Sequence, residues 1–253
     1  MRTSAAARAT PRAGVIEVWI VPFAERPRPD DLALLDASER AAASSFCAPL
    51  LAARYAGGRA AVRRIVGRAL GMEPAAVPIG RDRCAHCGQG PDTAQHGRPR
   101  VALAECTLRF SLSRTDTAAV VALADGCDVG VDVEALRPAN LAALGRHALS
   151  PADRARIDQA PAAQRSRLFF RSWCRKEAAT KAAGIGIVTD LSAIDTAPHD
   201  GGPVRISLPG PVASTWQVHD LRVPEGHAGA VAWPLSAARS LIQHEGEAWQ
   251  GGA

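Results

Sequence analysis

Val129–Glu134 reads VGVDVE, and Leu168–Gly184 reads LFFRSWCRKEAATKAAG; these two stretches decide how the rest of the chain is read. The longer one has no internal Pro and no Gly before its last residue, and its Ala, Arg, Lys and Glu favour a helix. Leu168, Phe169, Trp173 and Cys174 share an apolar face at helical spacing. Glu177 and Lys181 stand four apart, one turn from each other. Taken alone, that pair is an ordinary surface pair on an amphipathic helix. The shorter stretch changes the balance. It is an apolar run interrupted by Asp132 and Glu134, and in a strand residues i and i+2 point to the same face. Two acids side by side repel, and a buried strand rarely carries them without a cation. Asp132, Glu134 and Glu177 together supply oxygen ligands for a hard divalent metal.

VGVDVE followed about forty residues later by W-C-R-K-E-x-x-x-K resembles the signature pair of the surfactin-type (Sfp-type) 4′-phosphopantetheinyl transferases. The similarity runs from about Val15 to Val231, with the N-terminal third least distinctive. The resemblance implies an α+β fold with two similar α/β halves in one chain, a pseudo-dimeric arrangement with the active site between the halves. The expected division is a flexible tail over 1–13, an N-terminal half over 14–125, a C-terminal half with the metal site over 126–240, and a tail over 241–253. It also implies transfer of the phosphopantetheine arm of coenzyme A to a serine of an apo acyl or peptidyl carrier protein. The metal is Mg2+, with Mn2+ as a substitute. On this reading Asp132, Glu134 and Glu177 are the metal ligands, and Asp132, Glu177 and Lys181 are catalytic.

The formal charge is +5 over 253 residues, and the pI is about 9.2. A basic surface suits a polyanion such as nucleic acid, anionic lipid, a nucleotide cofactor or an acidic protein. Carriers of the resembling family's pathways are typically acidic, so the charge fits without selecting. No apolar run reaches the roughly 20 residues that span a bilayer. The first residues, MRTSAAARATPRAG, scatter Arg through a segment without an apolar core, unlike a secretory signal. A cytoplasmic, monomeric enzyme is expected. Six Cys are too sparse for a disulfide scaffold.

Along the chain, Val15–Val21 reads as a strand ending at Pro22. Asp30–Phe46 reads as one helix, and Ala52–Leu70 as a second, broken or kinked at Gly57-Gly58. That second helix is strongly basic through Arg54, Arg59, Arg63, Arg64 and Arg68. The resemblance implies a coenzyme A contact in it, assigned to Arg59. Gly80–Arg100 is a Gly- and Pro-rich loop. Cys84 and Cys87, with His86, His96 and Cys106 near, would supply zinc ligands, but the return pair of a zinc motif is missing. A loop with reduced thiols and no zinc is expected.

His96-Gly97-Arg98-Pro99 resembles the family's G-K-P segment, which makes Arg98 a cofactor contact with a different cation geometry. Ser113-Arg114 stands where the family usually has Ser-His, so Ser113 and Arg114 are expected at a coenzyme A phosphate. Val101–Leu103 and Leu108–Leu112 read as short strands. Ala118–Ala124 and Val129–Val133 read as a strand pair joined by an Asp125-Gly126 turn. Asn140–Ala148 reads as a short helix, and Ser150-Pro151 starts another. Val204–Leu208, Thr215–Leu221 and Gly229–Trp233 read as antiparallel strands, and a short helix with a polar tail is expected beyond Pro234.

In the implied reaction the carrier serine attacks the phosphorus bonded to the pantetheine arm, and 3′,5′-adenosine bisphosphate leaves. Charge builds on the leaving oxygens, so a metal and cations are needed around the pyrophosphate. Lys181 would reach a phosphate on the same ion, and Glu177 is both ligand and candidate base. Arg175 and Lys176 are expected to face solvent or the carrier. Two other classes compete. One is a metal-dependent phosphodiester-cleaving enzyme, which the same acids and Lys181 would suit. The other is a basic zinc or nucleic-acid module, which leaves Asp132 and Glu134 unexplained and lacks stacking aromatics; no nucleic-acid or membrane partner is expected.

Overall fold

The computed structural model describes residues 14–83, 97–137, 141–185, 189–209, 214–237 and 239–244. Its first part carries β1 (Val15–Pro22), α1 (Pro29–Leu34), α2 (Ala37–Ser44), α3 (Pro49–Leu70), β2 (Ile79–Arg81), β3 (Pro99–Val101), β4 (Leu108–Arg114) and β5 (Ala118–Asp125). The second carries β6 (Gly130–Ala135), α4 (Leu141–Ala148), α5 (Pro151–Gln159), α6 (Ala162–Ala183), β7 (Val204–Leu208), β8 (Ser214–Asp220), β9 (His227–Pro234) and β10 (Ser240–His244). The architecture is mixed α+β, with four-stranded sheets ordered β10-β1-β5-β4 and β6-β9-β8-β7, and a small β2-β3 ladder.

The period of two along the strands sorts side chains into layers. On β5, Ala119, Val121 and Leu123 meet Ala61, Val62, Ile65, Val66 and Ala69 of α3, which recur at helical spacing. The alternate residues Val120, Ala122 and Ala124 face the other way, onto Val131, Val133, Val231 and Trp233 of the second sheet. On β9, Ala230 and Ala232 turn outward to Cys174, Ala178 and Ala182 of α6. The order of layers is therefore α3, sheet, sheet, α6. Val131 and Val133 belong to the core between the sheets, so Asp132 and Glu134 point the other way, toward α6. Helix and strand come very close there: a Cβ on Gly130 would lie 2.1 Å from the Ala178 carbonyl oxygen.

Several expectations need correction. The helix read over Asp30–Phe46 is two helices. Asp36 starts the second, accepting a hydrogen bond from the Glu39 N–H at 2.8 Å while Glu39 accepts one from the Asp36 N–H at 3.1 Å. Helix α3 starts at Pro49 and runs unbroken through Gly57 and Gly58. Those glycines clear space for neighbours: a Cβ on Gly57 would stand 3.1 Å from the Phe23 ring, and one on Gly58 2.8 Å from Arg114 Cδ.

Strands β5 and β6 are not a hairpin. β5 pairs with β1 and β4, and β6 with β9. The two apolar runs flank a short polar turn, which looks like a hairpin; instead the chain steps from one sheet to the other, and the strands meet face to face. Beyond Pro234 the described residues form no helix. Ser240–His244 add a strand parallel to β1, with His244 stacked on Trp19 at 4.7 Å. The open edge of β1 offers backbone hydrogen bonds that a polar segment accepts as readily as an apolar one.

Candidate active site

Two sheet edges meet at the site. Strand β4 ends one sheet and β6 the other, and two serines join them. Ser111 Oγ accepts the Val131 N–H at 3.1 Å, and Ser113 Oγ accepts the Val133 N–H at 3.3 Å. The Ser113 hydroxyl donates to Asp132 Oδ1 at 2.8 Å. Lys181, on the last turn of α6, donates to the same oxygen at 2.6 Å and to Ser113 Oγ and the Val131 carbonyl at 3.3 Å. The seam between the sheets thus holds Asp132 from one side by a hydroxyl and from the other by an ammonium.

Glu177 lies on the turn of α6 before Lys181 and is 4% exposed. Its Oε1 is buried without a hydrogen-bond partner, and so is Asp132 Oδ2. Burial, and then the nearby Asp132 charge, push the Glu177 carboxyl up to about 7, with Glu134 adding and Lys181 opposing. Glu134 is raised by burial and by Asp132, against the pull of Arg137, Lys181 and the Trp173 indole. The Asp132 charge makes both glutamates harder to ionise, so the cluster lacks positive charge. Among the described residues no three His, Cys, Asp or Glu side chains already stand as a preformed metal cage. Two orphaned oxygens among mutually repelling carboxylates fit a hard cation, which would relieve both deficits.

A second cluster lies on α3. Tyr55 has the Arg59 guanidinium 5.6 Å and the Arg114 guanidinium 5.7 Å from its ring centre. Loss of hydration, and then the charge of Arg59, lower the pKa values of both Arg81 and Arg114. Arg114 keeps an exposed surface, and no carboxylate among the described residues pairs with it; Glu39 approaches Arg59 at 3.6 Å. Three crowded guanidiniums with so little counter-charge favour an anion. Of this cluster the sequence singled out Arg59 and Arg114, not Arg81 or Tyr55. Its available signal was the Arg81-Asp82-Arg83 charge cluster inside a loop, which carries no periodicity.

The structure therefore brings together Asp132, Glu134, Glu177, Lys181 and Ser113, and separately Arg59 and Arg114, with Ser113 and Arg114 adjacent on β4. Arg98 stands elsewhere. It donates to the Ala182 carbonyl at 2.9 Å and pairs with Asp128 at 2.7 Å and Asp82 at 3.2 Å, so its charge is already answered by acids. Arg175 and Lys176 do not face solvent; both are fully buried. They looked exposed because the sequence does not show that the chain over 189–200 covers Arg175 and, with the end of α4, Lys176. Cys84, His86, Cys87 and His96 lie outside the described residues; Cys106 is a free thiol packed against the first core.

A model of the 4′-phosphopantetheinyl transferase superfamily matches residues 128–232, the part that carries Asp132, Glu134, Glu177 and Lys181. The chain is 30% identical over 222 residues to 4′-phosphopantetheinyl transferase HetI of Nostoc sp., covering 86% of each chain. It is 25% identical over 149 residues to a 4′-phosphopantetheinyl transferase of Bacillus subtilis, covering 58% of this chain and 59% of that one. It is 33% identical over 106 residues to 4′-phosphopantetheinyl transferase AcpT of Escherichia coli K12, covering 42% of this chain and 53% of that one.

Proposed function

Because the chain belongs to the 4′-phosphopantetheinyl transferase superfamily and is a transferase of that kind, we propose that it is a surfactin-type member. It moves the phosphopantetheine arm of coenzyme A to a serine of an apo acyl or peptidyl carrier protein and releases 3′,5′-adenosine bisphosphate. The observation that carries this reading is the seam between the sheets, where Asp132 Oδ2 and Glu177 Oε1 are buried and unpartnered beside Lys181.

Asp132 and Glu177, with Glu134 beside them, would hold Mg2+, or Mn2+ in its place. Held there, the ion would supply charge neutralisation for a pyrophosphate that gains charge as its bond breaks. The chain's own groups do the rest. Arg59, Arg81 and Arg114 bind phosphate at the α3 end of the seam. Lys181 adds a cation where the leaving oxygens gather charge. Glu177 takes the carrier serine's proton. Ser113 keeps Asp132 oriented while that happens.

Each sheet carries a 22-residue helix on its outer face, which supports two similar halves with the site between them. A site made within one chain supports a monomer. The +5 charge supports an acidic carrier. No helix among the described residues is long and apolar enough to cross a membrane, which fits a cytoplasmic setting.

Intact-mass measurement of apo carriers tests the reading. Incubation with this protein, Mg2+ and coenzyme A is expected to add one phosphopantetheine, and omission of either Mg2+ or coenzyme A to add none. Unchanged mass across fatty-acid, polyketide and peptide carriers, with folded protein, overturns it.

A further inference from the structure

Gly58 has no side chain because Arg114 lies where one would be. A Cβ there would come within 2.8 Å of Arg114 Cδ and 3.6 Å of its Cγ. At the shorter distance the Arg114 side chain would have to move aside. Helix α3 does not need a glycine at this point; Gly58 is in mid-helix, where glycine costs roughly 1 kcal/mol relative to alanine. A local cost without a local turn calls for a reason from packing, and Arg114 supplies it.

The stem of Arg114 thus lies across the backbone of α3, and its guanidinium ends over Tyr55, 5.7 Å from the ring centre. Leu112, two residues back on β4, also closes on Gly58, its Cδ2 3.8 Å from that Cβ position. Tyr55 is three residues before Gly58, so the groove floor and the ring belong to one turn of α3. Arg59, the next residue after Gly58, faces the same ring from 5.6 Å. A long flexible cation that could sample many rotamers is held in one course between a bare backbone and an aromatic face. Preorganisation of this kind spares the rotamer entropy that binding would otherwise cost, and a cation above a ring gains further from the ring's electrons.

We propose that Gly58 and Tyr55 are positioning residues that aim Arg114 at the anionic end of coenzyme A, and so set affinity for that cosubstrate without touching the transferred group. The inference rests on the transferase reading above, in which Arg114 binds phosphate. It goes further by making Arg114's usefulness depend on an empty position on α3. If Arg114 binds an anion present equally in the ground and transition states, its misplacement raises KM and leaves kcat alone.

The test is a double-mutant cycle with coenzyme A and an apo carrier. Gly58→Ala is expected to raise the KM for coenzyme A about tenfold, with kcat within about twofold of the parent. In an Arg114→Ala background the same substitution is expected to move KM less than about twofold, because the side chain it displaces is gone. Tyr55→Ala is expected to raise KM about threefold, and Tyr55→Phe, which keeps the ring face, to restore the parent value. Calorimetric binding of 3′,5′-adenosine bisphosphate should follow the same pattern. Melting curves show that each variant folds, and alanine in mid-helix favours folding. A Gly58→Ala enzyme with unchanged KM, or one whose KM shift persists without Arg114, overturns the proposal. A parent protein that neither binds coenzyme A nor modifies a carrier sinks the transferase reading instead, so the two failures are distinguishable.

Discussion

Two faces of α6 bury charge in opposite ways. On one, Arg175 spends all five N–H donors: two bonds to the Asp220 carboxylate at 2.8 Å each, and one each to the carbonyls of Thr196, Ala197 and Asp200. Lys176 next to it donates to the Ala148 and Leu191 carbonyls at 2.7 and 2.9 Å and stands 3.7 Å from Asp153. Asp153 is itself saturated by Ser172 and Thr196. On the other face Glu177 keeps an oxygen with no partner, opposite Asp132 with another. Adjacent residues on one helix are thus fully satisfied or left wanting. A buried charge with every bond made is part of the fold. One left short is an energetic cost that the fold tolerates, and a ligand is the natural partner.

The satisfied face should break the molecule when cut. Arg175→Ala leaves Asp220 with Arg171 alone, at 3.1 Å, and removes the side-chain donor from the carbonyls of Thr196, Ala197 and Asp200. It also frees a strained turn, since Ala197 sits at φ +46°. The expected loss of folding free energy is about 4 kcal/mol, read by urea unfolding. A loss below about 1 kcal/mol would mean that the loop over 189–200 holds itself, and the contrast between the faces would weaken.

Cutting the other face should spare the fold and end the chemistry. Glu177→Gln keeps the shape, removes a repelled charge and takes away the proposed proton acceptor. Transfer to an apo carrier is expected to fall at least about 100-fold, or about 3 kcal/mol in barrier, with no loss of melting temperature. A variant with near-parent turnover would move the base elsewhere.

The sequence made one of these faces legible and hid the other. Asp132 and Glu134 were visible because a strand's period of two is rigid, and two acids in an apolar strand have no bland explanation. Glu177 and Lys181 followed from helical spacing. Arg175 and Lys176 were misplaced for a physical reason: helical periodicity says which residues share a face but not what covers it. Irregular chain covers this one, and irregular chain has no period. A clue was present in composition. Lys176 and Lys181 are the only lysines among the chain's 30 Lys and Arg residues. Both bind with compact ammonium groups, to carbonyl, hydroxyl and carboxylate oxygens. The β5-to-β6 step was misread for a related reason, because a hairpin and a crossing between sheets share the same short polar turn.

Lys176→Arg keeps the charge, yet it should cost about 2 kcal/mol by denaturant unfolding, because a larger, planar head must be packed into a fully buried site that an ammonium fills. A stable, unchanged Arg variant would return Lys176 to the ordinary bias of the sequence.

The smallest effect is a pH dependence, and its sign separates the faces most directly. The Glu177 carboxyl is raised to about 7, above the roughly 4.3 of an unfolded chain. Between those values the folded form binds the proton that the unfolded form has released. Stability from this group is complete below about pH 4 and drains away as pH rises through about 7. Metal-free parent protein should therefore lose stability relative to Glu177→Gln from pH 5 to 8, by about 1 kcal/mol after water reaching the seam is allowed for. Lys176 runs the other way in a higher window. Burial lowers it to about 8 against the attraction of Asp153, so its contribution improves with pH between about 8 and 10. Melting curves of the parent and Glu177→Gln at pH 5, 6, 7 and 8, with chelator present, read the lower window without the upper. Curves that run parallel through all four points would mean that Glu177 finds a partner in solution, and the unsatisfied face would no longer be one.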